Sequence, residues 1–171
     1  MPSATQLIRR DHKKVEGLFD KFEQTKKADG KKRIVDQVIQ EIEIHAKLEE
    51  EIFYPAVRKQ LGEEDLLDEA KQEHQQAKEI ISELKKMRGD DGELEDKFSE
   101  LVECIKHHVE EEEGELLPKV EASEMDLAEI GEEFTERKEE LTAQMKAKSS
   151  KATTGRKAAK SSGRRKSGRA A

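Results

Sequence analysis

Apolar residues recur along the chain at alternating steps of three and four, in four successive stretches. They are Ile8, Val15, Phe19 and Phe22; Val35, Val38, Ile42, Ile52 and Ala56; Leu67, Ala70, Ala77, Ile81 and Leu84; and Leu94, Phe98, Leu101 and Ile105. This spacing tracks one face of a 3.6-residue helix and predicts four helices, each burying a narrow stripe. Glycines and short polar clusters separate them. The expected spans are about 5–26 with Ser3 or Thr5 as N-cap, 31–60 ending at Gly62, 64–88 ending at Gly89, and a fourth running from the Asp90-Asp91-Gly92 caps to about 120. Pro55 is expected to kink the second helix and Pro118 the end of the fourth, because proline removes an internal hydrogen bond.

A fifth stretch, 125–145, sets Leu127, Ile130, Phe134, Leu141 and Met145 on one side. Such a helix packs on the other four, on a second copy of the chain, or on a partner. The remainder, Lys/Arg/Ser/Ala-rich and without apolar periodicity, reads as a disordered tail. The domain reading is thus a helical bundle over 1–120, an added helix over 121–147 and a tail over 148–171.

Composition supports an all-α chain. Of 171 residues, 43% are charged and only 4% aromatic, so β-branched and aromatic strand runs are scarce. No run of 18 apolar residues exists to span a membrane, and the start MPSATQLIRRDH lacks the apolar core of a signal peptide. Cys104 is the single cysteine, which excludes an internal disulfide and fits a reducing compartment; the chain reads as cytoplasmic. The net charge of −7 conceals two opposite parts: residues 146–171 hold ten Lys/Arg and no acid, while the rest holds 23 basic and 40 acidic residues, a balance of −17.

Each apolar seam also carries a histidine: His12, His45, His74 and His108, with Glu49 and Glu112 one turn beyond the second and the fourth. The segments HAKLEEEIFYP (45–55) and HVEEEEGELLP (108–118) match as His, Glu four later and Pro ten later, and Asp11-His12 and Glu73-His74 lie 33 and 34 residues before those histidines. The chain therefore reads as a duplicated helical hairpin. Counted from the hairpin turns at about 1.5 Å per residue, all four imidazoles fall roughly 21 Å along their helices, at one level of the core. A lone core histidine is ordinarily just hydrogen-bonded. Four of them with two glutamates are different, since burying unpaired carboxylates costs several kcal/mol each, on the order given by ion desolvation. A pair of divalent cations removes that cost, with carboxylates bridging and neutral imidazoles completing each shell. The metal ligands expected are His12, His45, Glu49, His74, His108 and Glu112. His107 faces about 100° away and flanks the site. Glu113 is a lesser candidate for the bridge. The ferritin-like alternative needs Glu-x-x-His, but Arg9, Ile42, Lys71, Cys104 and Ile105 occupy the positions three before the five histidines. Cys104 and Tyr54 read as packing residues.

Asp11-His12, the HAKLE of 45–49, Glu73-His74 and the HVEEE of 108–112, in this order and spacing, closely resemble the hemerythrin-like (HHE cation-binding) family. The resemblance implies an up-down-up-down four-helix bundle around two non-haem iron ions, oxo- or hydroxo-bridged. It further implies oxygen binding, or sensing of oxygen, iron or redox state. Two departures stand out: hemerythrins proper have a histidine where this chain has Lys78, and their last bridging carboxylate lies five residues after the fourth-helix histidine rather than four. Four histidines and two bridging carboxylates leave about four of twelve positions on two octahedral metals open. An opener site points towards sensing or oxidant handling, more a metal- and oxygen-binding protein than a dedicated enzyme. The alternatives are a di-iron enzyme that reduces peroxide or oxidises iron, and a non-metal interaction protein. Dioxygen or peroxide is the expected small ligand. The tail over 146–171 offers non-specific nucleic-acid contact through phosphates, without aromatic residues for base stacking, or folds back on the acidic body. The sequence leaves the oligomeric state open.

Overall fold

A computed structural model describes the backbone of residues 1–88 and 92–161, with side chains as far as 152. All regular structure among these residues is helical. Helix α1 spans Ala4–Gln24, and Ser3 caps it: its hydroxyl accepts from Gln6 N–H while the Gln6 side chain accepts from Ser3 N–H. Helix α2 spans Ala28–Leu48, widens through a π turn at Glu49–Phe53, and continues as α3, Tyr54–Leu61. Gly62, at φ +81°, ends α3 in a backbone conformation few other residues adopt. Helix α4 spans Glu64–Leu84 and α5 spans Gly92–Glu111. A second π turn at Glu112–Leu116 leads into α6, Leu117–Glu121, and α7 spans Leu127–Ser161.

The two prolines act as expected on backbone hydrogen bonding, but the result is a wider turn rather than a simple kink. Pro55 and Pro118 have no N–H to offer the carbonyl four residues back. The residue before each proline bonds five residues back instead, Tyr54 to Glu49 and Leu117 to Glu112. The added residue moves the later register by one. Ile52 and Ala56, expected on the seam, are only half-buried; Phe53, Tyr54 and Val57 are buried in their place.

Helices α1 and α2 form one antiparallel hairpin, α4 and α5 the other, and their apolar seams share two clusters. Near the hairpin turns lie Phe19, Phe22, Val35, Val38, Ile81, Leu84, Phe98 and Leu101. Phe98 meets Phe19 edge-on at 5.9 Å between ring centroids and Phe22 at 4.3 Å. At the other end Ile8, Leu48, Phe53, Leu67 and Leu117 pack together. Each fully buried side chain of this size contributes about 1.5–3 kcal/mol of transfer free energy. Between the clusters lies the layer of four histidines.

Of the three placements open to the fifth helix, the structure shows docking on the chain's own core: Met125, Ile130, Phe134 and Leu141 of the α7 region join the second cluster with Ala4, Ile8, Ile44 and Leu48. Gly131 permits the approach, since a Cβ there would lie 2.4 Å from Pro2 O. Arg137 Nε donates to Glu51 Oε2 at 2.8 Å, and Lys138 pairs with Asp11. The tail differs from expectation. Helix α7 runs on through 148–161, where disorder was expected; Ala, Lys and Arg are strong helix formers and extend a helix already anchored by packing. Residues 162–171 lie outside the described residues, as do the capping positions Asp90 and Asp91 and the expected stop at Gly89. No described helix is long and apolar enough to cross a membrane.

Candidate metal centre

The hairpin geometry brings His12, His45, His74, His108, Glu49 and Glu112 to one buried layer, each no more than 8% exposed. Imidazole Nε2 atoms face one another in pairs, His12 with His45 at 3.1 Å and His74 with His108 at 3.2 Å. Glu49 stands between the pairs: its Oε1 is 2.9 Å from His45 Nε2 and its Oε2 is 3.2 Å from His74 Nε2. Glu112 Oε2 is 3.3 Å from His12 Nε2 and 3.8 Å from His108 Nε2. Two groups of donors able to hold a metal ion result, His12–His45–Glu49–Glu112 and Glu49–His74–His108, with Glu49 common to both.

Carboxylates on the far side of each ring fix which nitrogen faces inward. His12 Nδ1 is 2.7 Å from Glu113 Oε1, and His74 Nδ1 is 3.0 Å from Glu50 Oε1. His45 Nδ1 lies 3.4 Å from Asp11 Oδ2, and His108 Nδ1 lies 2.6 Å from Glu73 Oε2. Each Nδ1–H donates outward, leaving Nε2 as the inward donor atom for a cation. Asp11 and Glu73 adjoin one histidine in sequence but serve its partner across the hairpin. Glu113, considered as a bridge, orients His12 instead. Lys78, in the place of the missing histidine, donates to both Glu50 oxygens at 2.8 and 2.9 Å and so supports the carboxylate that holds His74.

The metal-free site is a network of charge. Burial works against a charged His45, but Glu49 and Asp11 outweigh it and raise its pKa to about 10. His74 rises to about 9 in the same way, burial being overcome by Glu49 and Glu50. Glu49 is pulled well below the carboxylate range, since His45 and His74 outweigh the desolvation that would raise it. Even so, Glu49 Oε1 and Glu112 Oε2 are buried without a hydrogen-bond partner. Their nearest polar neighbours are His45 Nε2, 2.9 Å from Glu49 Oε1, and His12 Nε2, 3.3 Å from Glu112 Oε2. Cis ligands about 2.1 Å from one ion lie about 3 Å apart, and the Nε2 and Oε separations cluster near that value. The donor set therefore fits a divalent cation.

Tyr54 was missed by periodicity. Its hydroxyl donates to Glu112 Oε1 at 3.0 Å or to Glu49 Oε2 at 3.1 Å, and lies 3.4 Å from His74 Nε2. The π turn brings residue 54 back over residue 49, whereas an ordinary helix would turn it aside. One sequence signal existed, for Tyr54 stands where the other half of the repeat has Leu117. Opposite the carboxylates, the four histidines floor a cavity of about 290 Å³ whose walls are mainly apolar, including Val15, Ile42, Ala77, Ile81, Ile105 and Val109.

A protein of Nostoc sp. named DNA nickase is 31% identical over 110 residues, covering 64% of this chain and 31% of its own length. A hemerythrin-like protein of Schizosaccharomyces pombe is 28% identical over 123 residues, covering 71% of this chain and 61% of its own. The chain thus spans from about a third to three-fifths of these relatives. The crystal structure of a hemerythrin HHE cation binding domain-containing protein from Mycobacterium kansasii superposes with a TM-score of 0.74 at 24% identity, over 84% of this chain and 90% of that one, and shares the fold. The family model for the hemerythrin HHE cation binding domain matches residues 3–120, and the chain belongs to that family.

Proposed function

We propose that this chain is a non-haem di-iron protein that binds or senses oxygen or redox state, its two ions held by His12, His45, Glu49, His74, His108 and Glu112 within an up-down-up-down bundle. The observation that carries the reading is the pair of buried, unpartnered oxygens, Glu49 Oε1 and Glu112 Oε2, set among four inward Nε2 atoms. Each oxygen has a histidine nearby but no hydrogen bond, and a buried acceptor left so costs about 1–3 kcal/mol, which a bound cation would remove.

Iron, when bound, would supply reversible one-electron exchange with a small oxidant. The chain's residues prepare for that in separable ways. Asp11, Glu50, Glu73 and Glu113 hold the imidazoles in the donor tautomer and raise their basicity. Glu49 reaches both donor groups and would bridge them. Tyr54 is kept protonated by burial and by the nearby charges of Glu112 and Glu49, so it holds a hydrogen-bond donor over the carboxylates. The cavity on the histidine side, apolar over most of its area with Glu43, Lys47 and Lys78 also in its lining, has room for a small, weakly polar ligand.

Lys78 supports a second reading. With lysine in place of a further ligand, ligand positions stay open, which suits a di-iron enzyme that reduces peroxide or oxidises iron. The name of the Nostoc relative belongs to a protein of which the match spans 31%, and strand cleavage is not part of either reading.

Anaerobic iron loading followed by metal analysis and an optical spectrum tests the proposal. Two irons per chain with oxygen-dependent charge-transfer bands are expected. Turnover of peroxide would favour the enzyme, a form stable through many oxygenation cycles would favour carriage over sensing, and a chain that takes up no iron would end both di-iron readings.

A further inference from the structure

The two halves of the repeat treat the outer face of the histidine layer differently. In the first half Leu7, Ile44 and Leu48 face α7 and are packed by it, and Asp11 is neutralised by Lys138 of that helix. The corresponding positions of the second half are Glu69, His107, Glu111 and Glu73. No helix covers them among the described residues, and Glu73 forms no ion pair with lysine or arginine there. His107 Nε2 lies 3.4 Å from Glu73 Oε1 and 3.2 Å from Glu111 Oε1. These three donor atoms fall within 4.8 Å of one another. Glu73 Oε1 is itself buried and without a hydrogen-bond partner, although its Oε2 is held by His108. A separate gap of about 20 Å³ beside Glu73 and Glu111 is lined also by Leu66, Ala70 and Leu116 and does not reach His107.

We infer that His107, Glu111 and Glu73 form an outer divalent-cation site, distinct from the buried centre, which supplies to Glu73 the positive charge that Lys138 supplies to Asp11. One imidazole and two carboxylates suit a borderline or hard cation such as Fe²⁺, Mn²⁺ or Zn²⁺. The site has an open side, so water completes the shell. The separations of 3.2 and 3.4 Å are those of neighbouring ligands on one ion, for which about 3 Å is the octahedral spacing.

Mn²⁺ titration of the metal-free full chain, followed by electron paramagnetic resonance and equilibrium dialysis, tests this. The comparison is wild type against His107→Ala/Glu111→Gln, a variant altering only side chains at the surface rim and none of the buried ligands. The variant is expected to bind one Mn²⁺ fewer, or that ion about tenfold or more weakly, the scale of loss seen when supporting ligands are removed. Equal stoichiometry and affinity in the two proteins would overturn the outer site while leaving the buried centre standing. A wild-type chain whose sole Mn²⁺ disappears in the variant would support the outer site. Uptake of no Mn²⁺ by wild type would overturn the outer site, while the buried centre is judged by iron loading.

Discussion

The Tyr54 hydroxyl spans the two halves of the repeat, lying 3.0 Å from Glu112 Oε1 and 3.1 Å from Glu49 Oε2. One phenolic proton serves two buried carboxylates. Tyr54→Phe removes the donor and keeps the ring, so the one hydrogen bond that the hydroxyl gives to Glu112 or Glu49 is lost. The expected loss is about 1–3 kcal/mol in the metal-free chain, the cost of an unsatisfied buried acceptor. Urea unfolding of the two proteins measures it, and equal midpoints would show that the hydroxyl makes no net contribution.

Glu49 is common to both donor groups, whereas His74 belongs to one. His74→Ala should therefore leave His12, His45, Glu49 and Glu112 able to hold a single ion. Glu49→Ala removes a donor from both groups and should bring the content of the buried layer below one ion per chain. Elemental analysis after iron loading separates the cases; equal metal content in the two variants would contradict a shared Glu49.

Gly131 is where α7 touches the start of the chain. A Cβ there would meet Pro2 O at 2.4 Å, Ala4 N at 3.1 Å and Ser3 C at 3.1 Å, all backbone atoms that cannot swing away. Gly131→Ala should cost about 1–3 kcal/mol, the range for forced overpacking. A thermal melt unchanged from wild type would mean that α7 does not dock this closely.

The metal-free chain should have a definite pH dependence. His45 and His74 rise from 6.5 to about 10 and about 9 on folding, so the folded state holds protons that the unfolded state releases above 6.5. Their stabilisation is complete below pH 6.5 and is lost as the pH rises through the range from 9 to 10. Glu50 works the other way: its hydrogen bond from His74 lowers it from 4.5 to about 2, and that contribution is present above pH 4.5 and lost towards 2. Urea midpoints should peak between these limits and fall by pH 9.5. A midpoint that climbs steadily from pH 6 to 9.5 would contradict the histidine–carboxylate network.

Much of this was legible from periodicity. A 3.6-residue repeat dictates which side chains share a face, and His12, His45, Glu49, His74, His108 and Glu112 lie on the faces that the neighbouring apolar residues bury. The internal duplication likewise located the inward glutamate of the acidic run as Glu112, four residues after His108, while Glu113 turned out to orient His12.

Periodicity stopped at the two π turns. A constant 3.6 repeat carried through Glu49–Phe53 places Ile52 and Ala56 inward, but the proline-driven turn advances the register and buries Phe53, Tyr54 and Val57. The sequence by itself thus determined the helical stretches as far as about residue 145 and the inward ligand candidates, because both follow from local geometry. Tertiary structure alone decided the partners of each Nδ1, the place of Tyr54 over the carboxylates, and the docking of α7 with Lys138 on Asp11. Those contacts join residues tens of positions apart, and only the packing of one hairpin on another brings them within a hydrogen bond's reach.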